Sequence, residues 1–211
     1  MLPYSAVVPR RNPGRRAALA DAAIALLATE GIHGLTHRAA EGAAGLPTGT
    51  AANYFPSREE LLVAAAERAV ALHLEDMARI DRAVDVSSST SPLAELIAVS
   101  LHEAATASRE RYLAVFELQL EARRRPALAA ALARLSSVAT AFTADEHRTL
   151  GLGVPPEAIP TLVTLYGGVL FTLVTGPGGV ERDVVRRLAH AVVRGAVDGP
   201  RGTEQPGPTG P

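Results

Sequence analysis

The stretch Thr36 to Phe55, THRAAEGAAGLPTGTAANYF, leaves the chain few options, because its punctuation demands two short helices joined by a tight turn. Thr36 can cap the first helix, its side-chain oxygen accepting one of the N–H groups that a helix start leaves unpaired. Ala39, Ala40, Ala43 and Ala44 are small enough to let a second helix come close. Gly45 then ends the first helix, since only a residue without Cβ takes the left-handed conformation cheaply. Leu46 is the apolar plug between the two, and Pro47 falls where a new helix would begin, its φ preset and its missing N–H costing nothing. This predicts a second helix from Thr48 to Phe55 that leaves at a steep angle to the first.

The rest of the chain must supply a body for that small unit. At 211 residues it has material for one or two domains, and 47% of it is apolar while strand-like alternation is scarce, which points to an all-α class. A formal net charge of −1 excludes a polycation that coats nucleic acid. The basic excess is local: Arg10, Arg11, Arg15, Arg16, Arg38 and Arg58 face only Asp21, Glu30 and Glu41 over the first 58 residues. That suits a DNA-reading head on a neutral body. There is no Cys, so disulfides, thiolate metal sites and thiol redox sensing are excluded. Met1 to Pro13 is broken by three prolines and has no apolar core, so a signal peptide is not expected and the cytoplasm is the default compartment.

Two helices joined by a tight turn form the helix-turn-helix plan, whose second helix enters the major groove. The run GLPTGTAANYFPSREEL, Gly45 to Leu61, resembles the N-terminal motif of TetR-type transcriptional regulators. Gly45, Leu46, Gly49, Thr50, Ala51, Tyr54, Phe55, Ser57, Arg58, Glu59 and Leu61 fit the pattern. Pro47 stands where Ser is usual, Ala52 where a phosphate-touching Tyr often sits, and Ala40-Glu41 where Ile-Ala is common. The resemblance implies a homodimer, ligand-responsive, that represses from a palindromic operator of double-stranded DNA and is released by a small-molecule effector. Thr48, Thr50, Asn53 and Tyr54 are the expected groove and phosphate contacts, with Thr50 and Asn53 nearest the base edges. Thr36 and Arg58, near helix N-termini, are the expected phosphate ligands.

In chain order, residues 1–14 read as a basic arm, 15–60 as the helix-turn-helix domain, 61–198 as a helical regulatory and dimerisation domain, and 199–211 as a disordered tail. A helix over Arg16 to Glu30 precedes the motif, with Gly31 ending it. Ser57 and Glu60 make a capping box that starts a long helix to about Val84. A linker, Asp85 to Ser91, leads to helices from Pro92, over Arg109 to Arg125, and over Pro126 to about Leu150, the last striped by Leu128, Leu132, Leu135, Val138 and Phe142. Ile159 to Val174 is apolar nearly all round but, at 16 residues, falls short of the ~20 that span a bilayer. With the helix striped by Val184, Val185, Leu188, Ala189, Val192, Val193 and Ala196, it suits a four-helix bundle across a twofold axis. Tyr112, Phe116 and Gln119 share one stripe, and with His102 and Tyr166 they are the expected effector contacts.

No catalytic constellation is visible. His33, His37, His73, His102, His147 and His190 are scattered, no second His follows His102 at zinc-protease spacing, and no Walker or dinucleotide loop is present. Neither a metal nor another cofactor is expected. An effector-independent regulator, an activator, and a helical enzyme or scaffold remain open alternatives on these residues.

Overall fold

A computed structural model describes residues 12–83 and 91–197, so the expected arm up to Arg11, the linker through Thr90 and the tail lie outside the described residues. Among those described, every regular element is a helix: α1 (Pro13–Gly34), α2 (His37–Ala43), α3 (Thr50–Tyr54), α4 (Arg58–Ala83), α5 (Pro92–Ala105), α6 (Arg109–Ala122), α7 (Pro126–Thr149), a 3₁₀ turn (Pro156–Ala158), α8 (Ile159–Thr175) and α9 (Arg182–Val197). They form two compact units, one holding residues to His73 together with Glu110–Ser136, the other Leu74–Arg109 together with the chain from Ser137.

In the first unit, α1 begins at Pro13, earlier than expected, because the Asn12 side chain accepts the Gly14 N–H at 2.9 Å. It also outruns the expected stop: Gly31 leaves helical geometry at φ 68°, yet the chain re-enters helix as far as Gly34. Leu19, Ala23, Ile24 and Leu27 line its inner face and meet Leu35, Ala40, Ala51, Phe55, Leu61 and Leu62. Ala114 and Leu118 of α6 and Leu128 of α7 complete this core, all three fully enclosed. Each such side chain contributes roughly 1.5–3 kcal/mol through removal from water, Ala less. The surface adds ion pairs from Arg16 to Glu67 at 3.4 Å and from Arg68 to Asp21 at 2.7 Å, which tie α1 to α4.

In the second unit, α5 packs against α8 and α9, which pack on each other. Leu93, Leu96, Ile97 and Leu101 of α5 are buried in this packing, as are Ile159, Leu162, Leu170 and Val174 of α8 and Val185 and Val192 of α9. By length and composition α7 and the run Pro156–Thr175 could cross a membrane, the 3₁₀ turn lengthening the apolar stretch read from sequence. Ile159, Leu162, Leu170 and Val174 are nevertheless buried inside this unit. The expected inner position Val138 is 53% exposed, so the apolar stripe of α7 is shorter than its spacing suggests.

Candidate nucleic-acid interface

The two motif helices are held by short, local devices. Thr36 caps α2, its Oγ1 accepting the Ala39 N–H at 3.1 Å. Gly45, at φ 64°, turns the chain, and the Leu46 N–H then reaches the Glu41 carbonyl at 2.9 Å. The second helix starts later than the position of Pro47 suggests. Thr48 and Gly49 form a turn, Gly49 sits at φ 87° as the N-cap, and α3 opens only at Thr50. A left-handed residue at that point adds a bend before the helix, and Gly adopts it without strain.

This late start decides which residues face outward. Thr48, Gly49, Ala52 and Asn53 are exposed, whereas Thr50, Ala51 and Phe55 are buried. The expected role of Thr50 at base edges does not fit its placement: it is 9% exposed and its hydroxyl donates to the Pro47 carbonyl at 2.6 Å, closing the turn. Asn53 is open, and so is Thr36, apart from its capping bond. The Tyr54 hydroxyl accepts the Asn12 N–H at 3.0 Å and keeps its own O–H to donate. Arg58 is half-buried and bonded to main-chain carbonyls of Leu35 and Ile32, which takes its guanidinium away from the phosphate role expected of it. Arg38, exposed in the first turn of α2, is better placed for a phosphate.

Two residues that sequence reasoning named without giving them a contact matter here. The Glu41 carboxylate is buried and accepts the Ala51 N–H at 2.6 Å, and His37 Nε2 lies 2.7 Å from the Phe55 carbonyl oxygen. The available signal was the acidic residue in a position that is apolar in the resembled motif.

The expected effector contacts divide between the units. In the first, Tyr112 is buried with its hydroxyl 2.7 Å from His73 Nδ1, Phe116 is half-buried and Gln119 is exposed. In the second, the hydroxyls of Tyr166 and Ser100 are 2.8 Å apart, and His102 lines a groove of about 220 Å³ with Glu95, Ala98, Val99, Glu103, Arg182 and Arg186. A larger open groove of about 710 Å³ runs past His147, Val154 and Ile159. Burial holds the His147 imidazole below its usual range, favouring the neutral ring. Among the described residues no group of three or more His, Asp or Glu side chains is placed to hold a metal ion.

A helix-turn-helix reading unit carried by an all-helical body is the class that these features define. Residues 19–65 match the family described as bacterial regulatory proteins, tetR family, and residues 88–199 match the tetracyclin repressor-like C-terminal domain. The chain belongs to the tetR family and is a transcriptional regulator of that family. Among solved structures it is similar to the multidrug binding protein EbrR complexed with imidazole, at 27% identity over 91% of this chain and 97% of that one, with a TM-score of 0.63. EbrR complexed with ethidium matches at the same 27% identity, over 84% of this chain and 98% of that one, with a TM-score of 0.61. A TetR-family member from Streptomyces coelicolor A3, SCO1917, matches at 27% identity over 85% of this chain and 98% of its own, with a TM-score of 0.64. None of the curated proteins matches the chain.

Proposed function

We propose that the protein is a cytoplasmic, homodimeric repressor that holds a palindromic operator and leaves it when a small-molecule effector binds. The observation that carries the reading is the division of the α3 segment into an inner row, Thr50, Ala51 and Phe55, and an outer row, Thr48, Ala52 and Asn53. In the outer row Asn53 can pair bidentately with an adenine edge, Thr48 can bond a base or phosphate, and the missing side chain at Ala52 leaves room for close approach. Thr36, Arg38 and Tyr54 would fix the head on phosphates, a positioning role without sequence information. Two heads in a twofold dimer would read half-sites one DNA turn, roughly 34 Å, apart. Among the described residues, the exposed Leu165, Phe171 and Val184 on α8 and α9 support pairing through those helices.

Similarity to EbrR supports the effector half of the reading, since that protein is complexed with imidazole and with ethidium. In the second unit His102 and Tyr166 are the polar side chains on which we place effector recognition. A complete reversal, from 1:99 to 99:1, requires the effector to prefer the released state by about 5.5 kcal/mol.

The test is fluorescence anisotropy of the protein on its own upstream DNA and on scrambled DNA at two salt concentrations, with a Thr48→Ala, Asn53→Ala variant alongside. Binding that prefers the upstream DNA, weakens steeply with salt and loses its preference in the variant is the expected result. Equal binding to every sequence would overturn the reading. Release of the upstream DNA by ethidium or another compound in a panel of small molecules would establish the effector; retention against the whole panel counts against repression by release.

A further inference from the structure

His37 and Glu41 stand four residues apart on α2, so they share one face and are separated by about 6 Å along its axis. Ala51 and Phe55 are likewise four apart, at the two ends of α3. The structure joins them in reverse order. Glu41 Oε1 accepts the Ala51 N–H at 2.6 Å, and His37 Nε2 lies 2.7 Å from the Phe55 carbonyl oxygen. A carbonyl can only accept, so Nε2 carries the proton and donates.

α3 needs such support. It has five residues, too few to hold together alone. Its N-cap is Gly49, which has no side chain to accept an N–H and whose φ of 87° strains capping residues such as Ser and Thr. The Thr50 hydroxyl turns back to donate to the Pro47 carbonyl, and it is not the acceptor that the Ala51 N–H uses. The Ala51 N–H would therefore open the helix unpaired and buried, since Ala51 is fully enclosed. The Glu41 carboxylate supplies the missing cap from the neighbouring helix, where the positive end of the α3 backbone dipole also favours it.

We infer that His37 and Glu41 form a two-point clamp that sets the orientation of α3, making Glu41 a positioning residue for base reading. The inference rests on the DNA-reading function proposed above. With both ends fixed to α2, rotation of α3 about its axis is stopped, and Asn53 is presented at one angle. Loss of the clamp leaves the head folded on its apolar core but lets the reading side chains swing, so sequence preference suffers before general affinity.

The test uses the full chain and compares Glu41→Ala, Glu41→Gln, His37→Ala and the Glu41→Ala, His37→Ala double variant. Each is assayed for affinity to the upstream DNA, affinity to scrambled DNA, thermal midpoint, and hydrogen exchange of the Ala51 amide. Glu41→Ala is expected to lose about tenfold to a hundredfold in affinity for the upstream DNA, the range of one hydrogen bond to a charged group, while affinity for scrambled DNA stays within about twofold. Its Ala51 amide exchanges faster while the amides of Leu19 and Leu62 do not. Glu41→Gln keeps an acceptor at the same place and retains most of the preference. The double variant loses less than the product of the single losses, because both bonds act on one helix. An unchanged preference in Glu41→Ala overturns the clamp, as does a parallel loss on both DNAs shared by Glu41→Gln. If the parent shows no preference, the DNA-reading proposal fails and the clamp fails with it; a parent that discriminates beside a Glu41→Ala variant that does so equally well refutes the clamp alone.

Discussion

Arg58, the first residue of α4, turns back onto the end of α1: its Nε donates to the Leu35 carbonyl at 2.8 Å, and a terminal nitrogen donates to the Ile32 carbonyl. The last carbonyls of a helix have no partner within it, and a cation there meets the negative end of the backbone dipole. Arg58 thus joins the first and fourth helices of the reading head. Replacing it with Met keeps the stem and removes both bonds, and should lower stability by about 1.5–3 kcal/mol. The salt dependence of DNA binding, read as the slope of log affinity against log salt, should stay as in the parent. A slope reduced by about one would mean that Arg58 does reach a phosphate.

The left-handed Gly49 makes a second test. A Cβ built there meets nothing within 4 Å, so any cost of Gly49→Ala comes from the backbone at φ 87° and not from a clash. That cost is on the order of 1–3 kcal/mol. Because the residue is the hinge into α3, affinity for the upstream DNA should fall together with the thermal midpoint. Gly49→Asn, which tolerates this conformation better, should fall between parent and Ala.

Phe171, 48% exposed, and Leu165, 37% exposed, stand on α8. In the dimer proposed above, Phe171→Asp should convert dimer to monomer in sedimentation velocity and weaken operator binding by on the order of 10²-fold, since one half-site then binds without the other. Unchanged sedimentation would overturn pairing through this face.

Asp81 predicts a pH effect. Both of its carboxylate oxygens are buried without a hydrogen-bond donor, and burial, reinforced by the neighbouring Glu146 carboxyl and opposed by Arg82, pushes its pKa up from 3.8 to about 6. The folded state therefore holds this proton more tightly than the unfolded state, and stability drops as pH rises from about 4 to about 6. Asp81→Asn should melt higher than the parent near pH 7.5 and lose that advantage near pH 4.5. His147 works in the other direction, since its lowered pKa costs stability as pH falls below the usual imidazole value of 6.5. Carrying His147→Gln in both proteins isolates the Asp81 effect in the same melts.

What the sequence made legible is what neighbours a few residues apart decide. The Thr36 cap, the left-handed Gly45 and the Glu60 N–H bonded to Ser57 Oγ at 3.2 Å are all as the local pattern predicts. The partners of Glu41 and Arg58 lie 10 to 26 residues away, and no local rule reaches them. The proline rule placed the start of α3 too early because it knows nothing of the bend that Gly49 and the Thr50–Pro47 bond introduce. Periodicity found the stripe of Tyr112, Phe116 and Gln119 but not what covers each member: Tyr112 meets His73, whereas Gln119 meets water. That α6 and α7 close the core of the reading head with Leu118 and Leu128 could be learned only from the packed chain.

The bond from the Asn12 N–H to the Tyr54 hydroxyl has a practical meaning for anyone handling this protein. It ties the start of α1 to the end of α3, beside the side chains that would face DNA. A chain cut to begin at Pro13 would lose that tie, and a weak operator affinity measured with it would describe the cut as much as the protein.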